Sequence, residues 1–195
     1  MVGIVLGAGA SKRLGRPKQT LPFGDTTLLG HVLRDVEDSS LERVVLVVGG
    51  AADDALAQLT PRRAEVARND AYGSGCASSL LAGLDAAGDV ESVMLVLGDM
   101  PGVEPAVIDR VAGAWDERRP WAAVTRYRGE LGHPFVFSAG AFPDLRDLHG
   151  DKAVWKLIER HPERVERIDV DRELPRDVDT WDDYEAALSV VRAAG

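Results

Sequence analysis

The sequence predicts an α/β protein in which a mostly parallel sheet carries helices on both faces. Three observations predict it. The runs Val2 to Leu6, Val44 to Val48 and Val93 to Leu97 are continuously apolar, as strands covered on both faces are. Each run stops at glycine, at Gly7, Gly49-Gly50 and Gly98. The stretches between them place apolar residues at helical spacing. Strands alternating with helices make a three-layer, Rossmann-like sandwich, and 195 residues suit a single domain, here residues 1–195.

The opening run breaks at Gly7-Ala8-Gly9-Ala10-Ser11, and Lys12, Arg13, Arg16 and Lys18 follow at once. Small residues after a buried strand let the backbone approach a ligand closely. Amides backed by Lys and Arg suit a polyphosphate, so this is the candidate loop for a nucleoside triphosphate. It is neither common phosphate motif. Lys12 stands where G-x-G-x-x-G needs glycine, and Gly9, Gly15 and Lys18 miss the P-loop spacing.

Asp25 or Thr26 is expected to cap a helix that buries Leu28, Leu29, Val32, Leu33 and Val36. After the strand Val44 to Val48 comes a short helix with Ala55, Leu56 and Leu59, then a weaker strand, Ala64 to Ala67. Asn69 to Gly75 is rich in turn residues and leads into a helix carrying Leu80, Leu81 and Leu84. Val93 to Leu97 is the strongest strand, stopped by Gly98-Asp99-Met100-Pro101. A helix with Val107, Ile108, Val111 and Trp115 follows. Trp121 to Tyr127 and Phe135 to Phe137 read as strands, with Gly129 to Pro134 as the connection. Asp151 to Arg160 is a helix burying Val154, Trp155, Leu157 and Ile158, and a last strand lies near Val165 to Val170. Thr180 and Asp183 form a capping box for a closing helix, Trp181 to Val191.

Composition narrows the partners. A net charge of −9 argues against a nucleic-acid-binding body, which needs a basic face. No apolar run is long enough to span a bilayer, and a strand starting at Val2 leaves no room for a signal peptide. A single cysteine, Cys76, permits no disulfide framework and fits a reducing compartment. A cytoplasmic protein is expected. Ligands of such sheets bind beyond the carboxyl ends of the strands, which gathers the Gly7 to Lys18 loop and Asp99 into one place.

LGAGASKRLGRPKQTLPFG (Leu6 to Gly24) resembles the N-terminal signature of the MobA-like nucleotidyltransferases, and within them the molybdenum cofactor cytidylyltransferases. The likeness continues in order along the chain. Asn69 with Gly75, Ser78 and Ser79 is similar to N-x-x-x-x-x-G-x-x-S-S, and Leu97 to Pro101 to L-x-D-x-P. Gly132-His133-Pro134 resembles G-H-P, Gly150-Asp151 a following G-D, and Asp177 to Thr180 a D-x-D-T.

The resemblance implies attack by a phosphorylated acceptor, molybdopterin in the family, on the α-phosphorus of CTP or GTP, with pyrophosphate leaving. It gives Lys18 the α-phosphate and the acceptor phosphate, and Arg13 with Lys12 the β- and γ-phosphates. Backbone at Leu6, Ala8 and Gly9 would contact the nucleotide, with Asn69, Gly75 and Ser78 near base and ribose. Asp99 would hold Mg²⁺ with Asp179 as second carboxylate and Asp177 as the fallback, while His133, Pro134 and Asp151 would face the acceptor. A molybdoenzyme apoprotein extends the partner list; nucleic acid and membrane do not. Ala8 and Pro17-Lys18 lean towards CTP over GTP. Gly7, Leu14, Thr20 and Lys152 depart from the pattern, the last bearing on the acceptor.

Blander readings stand beside these. Cys76 is expected to be a small buried residue, and Trp115, Trp155 and Trp181 core. His31, His149 and His161 lack metal-ligand spacing. Three further functions remain open: transfer of another nucleotide to another phosphorylated acceptor, a non-catalytic molybdenum-cofactor-binding maturation protein, and an NAD(P)-dependent oxidoreductase. The last is disfavoured, since Val47-Val48-Gly49-Gly50 offers no acidic residue for a ribose.

Overall fold

A computed structural model describes residues 1–9, 11, 14–150 and 153–194. Lys12, Arg13 and Asp151, three of the site residues expected from the sequence, lie outside the described residues. The elements in chain order are β1 (Val2–Gly7), β2 (Pro22–Phe23), β3 (Thr26–Thr27), α1 (Leu28–Asp38), β4 (Arg43–Val48), α2 (Ala52–Leu56), β5 (Ala64–Arg68) and α3 (Cys76–Ala87). Then come β6 (Ser92–Leu97), α4 (Pro105–Arg118), β7 (Ala122–Tyr127), β8 (Glu130–Ser138), α5 (Phe142–Arg146), α6 (Ala153–Arg160), β9 (Val165–Val170) and α7 (Trp181–Ala194).

Seven strands form one sheet in the order β5-β4-β1-β6-β8-β7-β9. The pairs β1–β4, β1–β6, β4–β5 and β7–β9 are parallel, and only β8 runs against its neighbours. The three central apolar runs, β4, β1 and β6, are the buried middle of the sheet because helices cover both sides. On one face Leu29, Val32 and Val36 of α1 and Val107, Ile108 and Trp115 of α4 pack on Val5, Leu46 and Val96. On the other, Leu80 and Leu84 of α3 and Leu157 and Ile158 of α6 pack on Ile4, Val45 and Leu95. A third cluster joins Leu14, Leu21, Phe23 and Leu28 to Val178 and Leu188, so the last helix docks on the segment that follows the first strand. No helix among the described residues is long and apolar enough to cross a membrane.

Several local expectations are corrected. The cap of α1 is Thr27, whose hydroxyl accepts from the Gly30 N–H at 3.1 Å. Thr26 is used in the small β2–β3 ladder, and Asp25 pairs with Arg34. The segment Gly129 to Pro134 is mostly strand. Arg128 and Gly129 both have positive φ and make a two-residue hairpin turn, while His133-Pro134 fall where the β7–β8 register shifts. Proline is tolerated at such a bulge because no ladder N–H is required of it. Trp115 is core at 3% exposure, Trp155 is half-buried with its edge on Phe135, but Trp181 is 44% exposed at the start of α7. Cys76 is exposed at the first turn of α3. The capping box of α7 forms as expected, with Asp183 accepting from the Thr180 N–H (2.8 Å) and Thr180 Oγ1 accepting from the Asp183 N–H (3.2 Å).

Candidate active site

The carboxyl ends of β1 and β6 open into a cleft of about 410 Å³. Leu6, Ala8, Gly9, Gly75, Lys18, Asp99 and Asp179 all line it, so seven of the sequence-nominated positions converge from distant parts of the chain. Gly75 makes the bend into α3 at φ 112°, a conformation that side-chain-bearing residues rarely adopt.

At one end sits an ion cluster. Lys18 follows Pro17 and opens a single 3₁₀ turn, Lys18–Thr20, that points its side chain inward at 7% exposure. Its ammonium contacts the Asp99 carboxylate, donates to Asp179 Oδ1 at 3.0 Å and donates to the Val178 carbonyl at 3.0 Å. Asp99 arrives on the turn that ends β6, and its carbonyl accepts from the Val178 N–H at 2.8 Å. Burial would lower the Lys18 pKa, but the Asp99 and Asp179 carboxylates outweigh it and hold the group above its ordinary value, so it stays cationic. Burial pushes the Asp99 carboxyl up against the pull of Lys18, with Asp177 and Asp179 adding like charge. Asp179, not Asp177, is thus the second carboxylate in contact with Lys18.

The glycine loop is braced from below by Gln19, which sequence reasoning passed over. Its Nε2 donates to the carbonyls of Gly7 (3.0 Å) and Gly9 (2.7 Å), and its Oε1 accepts from Ser11 Oγ (3.4 Å). Ser11 Oγ in turn accepts the Lys18 backbone N–H at 2.9 Å. In a trans peptide the C=O and the following N–H point opposite ways. Holding the Gly7 carbonyl therefore turns the Ala8 N–H away from Gln19. The only sequence signal for this role was the adjacency of Gln19 to Lys18 on one tight turn.

Four nominated residues within the described part of the chain do not line the cleft. Asn69 is 6% exposed, and its amide donates to Ser78 Oγ (2.9 Å) and Ser79 Oγ (3.0 Å) while its Oδ1 accepts from the Ala71 N–H (2.9 Å). Ser78 donates to the carbonyls of Gly75 and Ala71. Both residues frame the 69–75 turn. What that turn presents to the cleft is Tyr72 and Gly73. His133 is buried, stacked on Phe135, with Nδ1 against the Leu95 carbonyl, and burial lowers its pKa to about 4. It is neutral at neutral pH. The Pro134 carbonyl is occupied by Thr125 Oγ1 at 2.8 Å.

Among the described residues no group of three or more His, Cys, Asp or Glu is placed to hold a metal ion. Asp99 and Asp179 offer an oxygen-only pair. Such a pair suits a hard cation that takes its remaining ligands from phosphate and water.

Residues 3–165 match the sequence profile of the MobA-like NTP transferase domain. The chain is 30% identical over 191 residues to a nicotine blue oxidoreductase of Paenarthrobacter nicotinovorans, covering 92% of each. It is 27% identical to the molybdenum cofactor cytidylyltransferase of Escherichia coli, over 69% of this chain and 68% of that one. Among solved structures, the homologue of Mycobacterium tuberculosis Rv0371c from Mycobacterium sp. strain JC1 is 40% identical, with a TM-score of 0.87 over 100% of this chain and 98% of the other. The Rv0371c structure described as a complex with manganese is 36% identical, with a TM-score of 0.79 over 96% and 97%.

Proposed function

The chain belongs to the MobA-like NTP transferase family, and from that premise we propose that it transfers CMP from CTP to a phosphorylated acceptor, molybdopterin by preference, releasing pyrophosphate. The observation that carries this is the convergence of Lys18, Asp99 and Asp179 beside the bare Ala8–Gly9 backbone in one cleft.

In nucleotidyl transfer an acceptor phosphate oxygen bonds to the α-phosphorus and the α–β phosphoanhydride breaks, so the electron pair leaves with pyrophosphate. The acceptor is already an anion. No general base is needed, which agrees with a buried, neutral His133. The protein's work is alignment and charge neutralisation. Lys18, cationic and fixed by three oxygen partners, is a preorganised charge for the phosphoryl oxygens. The backbone of Ala8 and Gly9 lines the same wall, oriented by Gln19.

Asp99 and Asp179 fit a magnesium ion by their donor chemistry. Both are carboxylates, and their oxygens suit a hard cation that completes its shell with phosphate oxygens and water. The manganese complex of the mycobacterial relative supports a divalent cation here. When bound, the ion would neutralise charge on the nucleotide phosphates. Ala8 and the Pro17-Lys18 pair lean towards CTP over GTP, as the resemblance to the cytidylyltransferases implies.

Incubating the protein with Mg²⁺, each triphosphate and molybdopterin, and identifying the product by mass, tests the reading. CMP-linked product and pyrophosphate are expected with CTP; no pyrophosphate with any triphosphate overturns it. The relative named nicotine blue oxidoreductase favours a second reading, an oxidoreductase. Against it, β4 ends in Val48-Gly49-Gly50 with no carboxylate for a ribose. Consumption of NADH or NADPH in the presence of a reducible dye would favour that reading instead.

A further inference from the structure

Tyr72 has a position that the sequence did not single out. It is 40% exposed, one of the four large apolar side chains so exposed among the described residues, and the only one of the four that lines the cleft. Its ring is not loose. A Cβ placed on Gly50 would come within 2.4 Å of Tyr72 Cζ and 2.6 Å of its Oη. One placed on Gly49 would meet Tyr72 Cβ at 2.8 Å. The two glycines that end β4 therefore form a side-chain-free shelf on which the ring lies. The Asn69, Ser78 and Ser79 hydrogen bonds pin the turn that carries it.

Position along the sheet gives the ring its meaning. The cleft is lined by Asp99, after β6, by the Ala8–Gly9 loop, after β1, and by Tyr72, whose ring lies against the Gly49–Gly50 backbone that follows β4. These are successive parallel strands, so the ion cluster and the tyrosine stand roughly 10 Å apart across two strand spacings. A nucleotide whose phosphates occupy the Lys18 end extends its ribose over the small Ala8–Gly9 backbone and brings its base to the tyrosine.

Resting on the nucleotidyl-transfer reading, we propose that Tyr72, laid on the Gly49–Gly50 backbone at the far end of the cleft from Lys18 and Asp99, is the stacking platform for the nucleobase. Asn69 and Ser78 then serve the base indirectly, by holding the turn that presents the ring. An aromatic face stacks on any base, so Tyr72 supplies affinity more than choice between bases.

Titrating Mg²⁺ complexes of CTP, GTP and inorganic triphosphate into the wild type, Tyr72→Ala and Tyr72→Phe tests the proposal, because inorganic triphosphate has no base to stack. Tyr72→Ala is expected to weaken the preferred nucleotide about 10-fold or more and to leave inorganic triphosphate unchanged, with Tyr72→Phe close to wild type. Tyr72→Ala binding the nucleotide like wild type overturns the platform. Equal loss of nucleotide and inorganic triphosphate overturns it too, since the effect would then lie in the loop. A wild type that binds no nucleotide overturns the transferase reading itself, a result distinct from the other two.

Discussion

Lys18 carries two duties, and a single substitution removes both. Its ammonium is the positive charge in a cluster of carboxylates, and it is the candidate charge for the reacting phosphates. Lys18→Ala should lower turnover about 100-fold, as loss of a preorganised charge does. It should also cost up to about 3 kcal/mol of stability, because Asp99 and Asp179 would lose the ammonium that contacts both. Mg²⁺ should therefore raise the melting temperature of Lys18→Ala more than that of wild type, a readout independent of activity; an equal shift in both removes the carboxylates from the metal site. Gln19 acts on the loop through two short amide bonds to carbonyls. Gln19→Met keeps the volume and removes the amide that donates to both carbonyls, each hydrogen bond worth about 1 kcal/mol. The KM for triphosphate should rise about tenfold with kcat moved far less, read from initial rates. Lys18, Asp99 and Asp179 were legible in the sequence through the resemblance, Asp179 by its place in D-x-D-T, and only Asp99 also by standing where a strongly apolar run ends; the structure brings the three into contact. Gln19, Tyr72 and the inward turn of Asn69 were not legible, because an uncharged side chain shows its role only through what it touches.

At the scale of elements, apolar runs and helical spacing located every strand of the seven-stranded sheet and each helix built on a long amphipathic stretch. Where the reading slipped, the cause was a breaker residue in an unusual setting. Pro134 and Gly132 suggested a loop, yet a bulge lets β8 run through them. Trp181 has the size and spacing of a core residue, but among the described residues α7 packs on the third cluster through Tyr184, Ala187, Leu188 and Val191. The helix α1 holds a group no motif announced. Asp35 is half-buried beside Arg34, Asp38 and His31 of its own helix and Glu104 at the start of α4, and its desolvation pushes its carboxyl up to about 6. In the folded protein it keeps its proton up to about pH 6, whereas the unfolded chain releases it near the ordinary 3.8. Stability from this group is therefore present below about pH 4 and is lost as pH rises through 6. Asp35→Asn should be more stable than wild type at pH 7, by on the order of 2–3 kcal/mol, with the difference vanishing towards pH 4. Urea unfolding at both pH values checks this, and a difference that does not depend on pH contradicts it.

The molecule as a whole closes its site from both ends of the chain. The family profile ends at residue 165, yet Asp179 lies beyond it and reaches Lys18 across 161 positions of sequence. What brings it back is Val178, fully buried among Leu14, Leu21, Phe23, Leu28 and Leu188. Its N–H donates to the Asp99 carbonyl at 2.8 Å and its carbonyl accepts from Lys18 Nζ at 3.0 Å. Tyr184 Oη adds a bond to the Pro22 carbonyl at 2.5 Å. One apolar side chain thus sets the register of two carboxylates and a lysine. Val178→Ala removes two buried methyl-sized groups and should cost about 2 kcal/mol, with the cavity beneath α7 loosening Asp179. A misplacement of 1 Å at reacting groups is worth about 100-fold in rate. Turnover of Val178→Ala, measured well below its melting temperature, should therefore fall at least tenfold while affinity for inorganic triphosphate changes little. Val190→Ala, on the exposed side of the same helix at 69% exposure, should alter neither quantity. If Val178→Ala unfolds more readily but turns over at the wild-type rate, the closing segment is a structural clasp alone, and the second carboxylate must come from Asp177.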